Sequence, residues 1–171
     1  MVEYDEALAA ETERTYLMPE IVRQRAQTIS ALNLQAGNHV LDVGCGMGLL
    51  TREMALAVGP TGRVVGVDTS EPMLNLARKR CGDLPQIELK NSSAATIPEP
   101  DSSFDAVACV QLLLYLPNVS QVIGEMVRVL KPGGRIVIIE TDWRHVLFEC
   151  DDQPFMRSLF DGWEASIPSP H

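Results

Sequence analysis

From Pro19 onward the chain alternates between two hydrophobic patterns. Ile21, Val22, Ala26, Ile29 and Leu32 recur on one face at helical spacing, and Pro19 suits a first helical turn, which predicts a helix over Pro19–Asn33. A shorter and more polar helix is expected upstream, over Glu6–Arg14. After the turn-forming cluster Gln35-Ala36-Gly37-Asn38, short β-rich runs alternate with helical stretches. Val40–Val43 reads as a strand, and Leu49, Leu50, Met54 and Ala57 mark a helix closed by Gly59-Pro60. Val64–Val67 is a second strand ending at Asp68, and Ser70 is placed to cap a helix over Glu71–Arg80. Ile87–Lys90 is a third strand; Phe104–Val110 is a fourth, apolar enough to be buried on both faces. A helix over Val119–Leu130 stops at Lys131-Pro132-Gly133-Gly134, and Arg135–Glu140 makes a fifth strand. Strands alternating with helices argue for right-handed βαβ units, hence a parallel sheet in an α/β sandwich. Beyond Thr141, Phe155, Leu159, Phe160 and Trp163 predict one amphipathic helix.

The 171 residues suit one domain, with no internal repeat or obvious linker. Fourteen basic against 23 acidic residues give a net charge of −9, which repels a polyanion at long range and argues against nucleic acid as partner. The longest apolar stretch, Ala106–Leu116, is interrupted by Gln111 and is too short for the roughly 20 residues a membrane helix needs. The acidic start, Met1-Val2-Glu3-Tyr4-Asp5-Glu6, lacks the basic and apolar regions of a secretion signal, so a cytoplasmic location is expected. Cys45, Cys81, Cys109 and Cys150 stand apart from one another and from any histidine cluster. They read as reduced thiols, and no metal site is expected.

The strongest local chemistry is Leu41-Asp42-Val43-Gly44-Cys45-Gly46-Met47-Gly48, a glycine-rich turn from a strand into a helix. Glycines let backbone approach a ligand closely, and Asp68, ending the next strand, can accept hydrogen bonds from both hydroxyls of a ribose. A nucleoside-containing cofactor is the natural occupant. Both NAD and a methyl-donating nucleoside meet that description, and Asp42 separates them. A carboxylate beside this turn opposes a pyrophosphate and favours the ammonium and sulfonium of S-adenosylmethionine.

Three segments, Val40–Gly48, Asp101-Ser102-Ser103-Phe104-Asp105 and Arg128-Val129-Leu130-Lys131-Pro132-Gly133-Gly134, resemble class I S-adenosylmethionine-dependent methyltransferases in order and spacing. The resemblance is to the small-molecule group that includes ubiquinone- and menaquinone-biosynthesis enzymes, and it covers about Leu34 to Thr141. It implies a Rossmann-like three-layer sandwich with a mostly parallel sheet of order 3-2-1-4-5. The family's last two strands have no counterpart after Thr141, so the chain reads as truncated. The implied organisation is a helical segment over 1–33, a cofactor-binding domain over 34–141, and an incomplete acceptor region over 142–171.

Carried over by motif, Gly44, Cys45 and Gly46 would present backbone to the methionine part of the cofactor, with Asp42 near its ammonium, directly or through water. Asp68 would hold the ribose, and Thr69 and Met73 would flank the adenine. Ser93 and Ala94 align where the family has an Asp and a small residue contacting adenine; the serine lacks the charge that strengthens that bond. Val110 and Gln111 would close the site. The acceptor is expected to be a small molecule, with S-adenosylhomocysteine as the second product. His145 is the candidate base, and Tyr16, Tyr115, Trp143 and Phe148 are candidates for the acceptor pocket. Two other readings remain open here, a cofactor-binding partner subunit without activity and an NAD-dependent oxidoreductase. Lacking a neighbour, the fifth strand, with Ile136-Val137-Ile138-Ile139, would be an edge prone to pairing with a second copy.

Overall fold

A computed structural model describes residues 13–141, together with residues 154, 157 and 158. The elements are α1 (Pro19–Leu32), β1 (His39–Val43), α2 (Leu49–Val58), β2 (Arg63–Asp68), α3 (Glu71–Cys81), β3 (Ile87–Asn91), β4 (Phe104–Val110), α4 (Val119–Val129) and β5 (Leu130–Ile139), with a 3₁₀ turn at Leu113–Tyr115. The helix expected over Glu6–Arg14 is described only from residue 13, where residues 13–16 are helical. Phe155, Leu159, Phe160 and Trp163 lie outside the described residues. So do Trp143, His145, Phe148 and Cys150.

The five strands form one parallel sheet in the order β3-β2-β1-β4-β5, the order the sequence implied. Alternate side chains of the buried strands feed two cores. Leu41, Val65 and Val107 pack with Val122 and Met126 of α4 on one face. Val40, Val64 and Ala106 pack with Leu32 of α1 and Met54 of α2 on the other. Apolar side chains in both directions are what a sheet covered on both faces requires. No described helix is long and apolar enough to cross a membrane.

Local signals set the helix ends. Ser70 Oγ accepts from the Met73 N–H, as a cap should, and Pro19 starts α1. Helix α1 ends at Leu32, one residue before the predicted end, and Asn33 caps it in the left-handed region at φ 50°. The larger departure is at β5, which begins at Leu130 instead of Arg135. Leu130 pairs with Phe104 and Arg135 with Ala106, so Lys131–Gly134 bulges out opposite Asp105. Gly133 is left-handed at φ 79°, and a Cβ on Gly134 would stand 2.9 Å from the Asp105 carbonyl, so both glycines belong to the bulge.

Two segments that carried the resemblance are scaffolding for each other. Asp105 accepts from the His39 N–H at 2.8 Å and from Lys131 Nζ at 2.7 Å. Arg128 donates to Asp101, to Glu125 and to the carbonyls of Ile97 and Glu99. No helix joins β3 to β4, and the connecting loop lies over the sheet with Ile97 and Glu99 buried. Burial works against the Glu99 carboxylate, but Arg63 and Lys90 donate to it and hold its pKa below the ordinary range. Glu99→Ala would remove one of the two carboxylates that Arg63 and Lys90 share; Glu88 still accepts from Arg63 at 2.8 and 2.9 Å and lies 3.6 Å from Lys90. A loss of ~1–2 kcal/mol is expected, because both cations keep a partner and are about a third exposed. Urea melts that do not separate the variant from wild type would refute the clamp.

Candidate active site

The C-terminal ends of β1, β2 and β4 converge on a cleft of about 840 Å³, where ligands bind in open α/β sheets. That volume is near the top of the roughly 300–1,000 Å³ usual for small-molecule sites. Gly44 and Gly46 form its floor, Asp68, Thr69 and Met73 one wall, Ser93 and Ala94 a rim, and Val110 and Gln111 the end of β4. These predicted residues are therefore brought together by the fold. Tyr16 and Tyr115, candidates for an acceptor pocket, line the same cleft.

Asp42 and Cys45 are placed differently. The Asp42 carboxylate is buried beneath the turn and accepts from the Thr51 hydroxyl at 2.6 Å, at the start of α2. It is not among the residues that line the cleft; of the two routes to a ligand ammonium that the sequence offered, direct or through water, this seat suits the second. Burial raises its pKa to about 7; Thr51 opposes the rise and the Asp68 charge adds to it. Cys45 points into the sheet, and its Sγ lies 2.9 Å from where a Cβ on Gly66 would be. Burial pushes this thiol far up, and Cys109 up to about 12, so both stay protonated at neutral pH. Cys45, Cys81 and Cys109 are free thiols.

The hydrogen bonds of the glycine turn say what it can bind. The N–H groups of Gly44 and Cys45 both donate to the Val67 carbonyl, at 2.8 and 3.0 Å. The Gly46 N–H donates to Asp68 Oδ2 at 2.8 Å, and the Gly48 N–H to the Cys45 carbonyl at 2.9 Å. A turn whose amides are already bonded within the protein is a poor phosphate cradle. The Asp42 carboxyl below, when ionised, opposes a phosphate further. Gly44 is left-handed at φ 76°, and a Cβ there would come within 2.9 Å of Leu112, so this wall closes only over glycine.

Asp68 ties the turn to the next helix. Oδ1 accepts from the Ser70 N–H at 2.8 Å while Oδ2 holds Gly46, and a carboxylate has lone pairs left for two ribose hydroxyls. Ser93 lines the rim, with its Oγ accepting from the Ala95 N–H at 3.1 Å. Arg80 donates to the Met47 carbonyl and to Glu13, and Arg25 donates to the Tyr16 carbonyl at 2.6 Å. These two arginines seat the N-terminal segment over the cleft. Neither was singled out in the sequence, where each looks like an ordinary helix-surface cation. Leu112, Leu116 and Pro117 also line the cleft and give its far wall an apolar character.

Fold and site together define a nucleoside-binding α/β sandwich whose glycine turn favours a cationic ligand. The model of the methyltransferase domain family matches residues 41–138, and the chain belongs to that family, whose cofactor is S-adenosylmethionine. Demethylmenaquinone methyltransferase of Listeria welshimeri is 42% identical over 122 residues, covering 70% of this chain and 52% of that protein. An uncharacterized 37.1 kDa protein in transposon TN4556 of Streptomyces fradiae is 36% identical over 130 residues, covering 76% of this chain and 38% of the relative. The chain thus spans about half or less of the length of these curated relatives. Among solved structures, a SAM-dependent methyltransferase from Aquifex aeolicus superposes with a TM-score of 0.71 at 24% identity, covering 95% of this chain and 85% of that one, and shows the same fold. The [4+2]-cyclase SpnF superposes with a TM-score of 0.63 at 28% identity, over 68% of this chain and 43% of its own.

Proposed function

We propose that the chain is a methyltransferase that binds S-adenosylmethionine in the cleft and methylates a small apolar acceptor. The observation that carries this reading is the glycine turn with its amides bonded internally, set between the Asp68 carboxylate and the buried Asp42. Such a site receives a ribose and a cation and offers little to a pyrophosphate. When bound, the cofactor supplies a methyl group on a sulfonium, activated for in-line displacement. The residues of the chain supply position. Asp68 accepts from the ribose hydroxyls, Thr69 and Met73 flank the adenine with Ser93 and Ala94 at its rim, and the backbone of Gly44 and Gly46 meets the methionine part. Val110 and Gln111 close the site at the end of β4. Tyr16, Leu112, Tyr115 and Leu116 form an apolar wall that excludes water and orients the acceptor. An acceptor that keeps its proton at neutral pH needs a base, and His145 is the residue the sequence offers.

Calorimetric titration with S-adenosylhomocysteine and with NAD tests the cofactor. Micromolar binding of the first and none of the second is expected, and the reverse would overturn the reading. For the acceptor, the Listeria relative's name makes a short-chain demethylmenaquinol the first probe, with transfer of a labelled methyl group as the readout. The SpnF likeness favours one second reading, a cofactor-binding protein that does not transfer the methyl, since a family fold can host other chemistry. Tight S-adenosylhomocysteine binding with no methyl transfer to any of a panel of acceptors would select it.

We also propose that β5 pairs with a second copy of the chain. Among the described residues it has a neighbour on one side only, and Ile138 is 41% exposed on it. An open edge of β-branched residues is a template for another strand. Light scattering over a concentration series is expected to show a dimer or larger species, reduced in Ile138→Lys. A wild-type monomer at every concentration would overturn this.

A further inference from the structure

Glu140 follows the last residue of β5, at the same end of the sheet as Asp68, and nothing in the reading above assigns it a part. Its Oε1 accepts from two successive backbone amides, Leu112 N–H at 3.0 Å and Leu113 N–H at 2.6 Å. These are first-turn donors of the 3₁₀ turn Leu113–Tyr115, which have no partner within the turn itself. Its Oε2 is buried and has no hydrogen-bond partner among the described residues. Immediately before the bonded amides, Gln111 is held left-handed at φ 55°, a conformation costly for a residue with a side chain. Gln111 is tied to the same strand end: its N–H donates to the Ile139 carbonyl at 2.8 Å, and its Nε2 to Thr141 Oγ1 at 2.7 Å. A strained backbone and a half-satisfied carboxylate thus occur together, where the end of β5 grips the turn after β4.

That turn is cleft wall. Gln111 and Leu112 line it, and Leu112 lies against Gly44 of the cofactor turn. We infer that Glu140 is a positioning residue for the cofactor site, holding the Gln111–Leu113 turn against Gly44 so that the wall beside the bound nucleoside is formed before the ligand arrives. This rests on the cofactor reading above. It gives the carboxylate a task that neither the core nor the scaffold motifs require, because α4, β4 and the bulge are held by Arg128, Asp105 and Lys131.

Two readouts independent of turnover test it: hydrogen exchange at the Leu112 and Leu113 amides, and the dissociation constant of S-adenosylhomocysteine by calorimetry well below the melting temperature. Glu140→Ala is expected to speed exchange at both amides and to weaken binding about tenfold, with the amides of β1 and β2 still protected. Glu140→Gln keeps an oxygen for both amides but buries an amide nitrogen where Oε2 had no partner. It should therefore bind within about twofold of wild type while melting lower, a split that a merely structural role does not produce. If Glu140→Ala does not fold, Glu140→Asp keeps the charge with a shorter reach and should bind at least about threefold more weakly. Wild-type affinity and unchanged exchange in the Ala or Asp variant would overturn the inference, as would equal loss in Gln and Ala. A wild-type chain that binds no S-adenosylhomocysteine, yet shows the Leu112 and Leu113 exchange dependent on Glu140, would overturn the cofactor reading and leave Glu140 a purely structural residue.

Discussion

Asp68→Ala is expected to weaken S-adenosylhomocysteine binding by at least tenfold while the sheet stays folded. Two contributions are lost together. On the reading proposed above the carboxylate would accept from the ribose hydroxyls, and a hydrogen bond to a charged acceptor contributes roughly 1.5–3 kcal/mol, where 1.4 kcal/mol is already a factor of ten. It also holds the Gly46 and Ser70 amides, so its removal loosens the turn that the methionine part rests on. Asp68→Asn keeps one carbonyl oxygen as an acceptor and should fall between wild type and Ala. Far-UV circular dichroism establishes that the variants are folded, and calorimetry reads the affinity. An Ala variant with wild-type affinity would remove Asp68 from the site.

The second large effect is a pH dependence that belongs to Asp42. Its pKa is raised to about 7 in the folded chain from an ordinary 3.8, chiefly by burial, against the pull of the Thr51 hydroxyl and with the Asp68 charge adding to the rise. Between those values the folded state holds a proton that the unfolded state has released. Stability therefore falls as pH rises from about 4 to about 7 and levels off above, by a few kcal/mol at most at ~1.4 kcal/mol per pH unit. Glu71, Asp83, Glu88, Glu99, Asp105 and Glu125 are all held below their ordinary values and act in the opposite sense. Their contribution is complete above about pH 5 and is lost as the solution becomes more acid. The falling limb from pH 5 to 7 is thus the part to compare. Asp42→Asn should lose it, because the amide does not titrate in this range.

The same group links protons to ligand. On the cofactor reading proposed above, the ligand's ammonium would lie over the turn and favour the Asp42 carboxylate over the acid, so S-adenosylhomocysteine should bind wild type more tightly at pH 8 than at pH 6, releasing part of a proton. Binding enthalpies measured in buffers of different ionisation heat would show the release in wild type and not in Asp42→Asn. Identical buffer dependence in both proteins would mean that Asp42 only supports α2.

How much of this was legible beforehand follows from the range of the interactions. Element types came from local signals: apolar runs for buried strands, helical periodicity, and the Ser70 cap, each acting within a few residues. The family motifs then supplied the strand order, and the glycine turn and Asp68 located the cleft because both stand at strand ends. Asp42 was legible as a carboxylate next to the turn, but its seat on Thr51 was not. Strand direction decides which face a side chain enters, and that places Asp42 under α2 instead of in the cleft. Cys45 went the same way, into the space left by Gly66 on the neighbouring strand. The start of β5 was misplaced because Leu130 pairs with Phe104 across the bulge, a contact between segments far apart in the chain.

Glu140 could have been found by the rule that found Asp68, an acid at the end of a parallel strand, but its partners Leu112 and Leu113 could not. Arg80 and Arg25 likewise acquire their tasks from Glu13, Met47 and Tyr16, which only the folded chain brings within reach. Patterns within a few residues therefore determined the elements, the cofactor turn and the class of ligand. The tertiary structure decided which carboxylates line the cleft and which are buried beside it, because burial and partnership depend on segments that meet only when the sheet has formed.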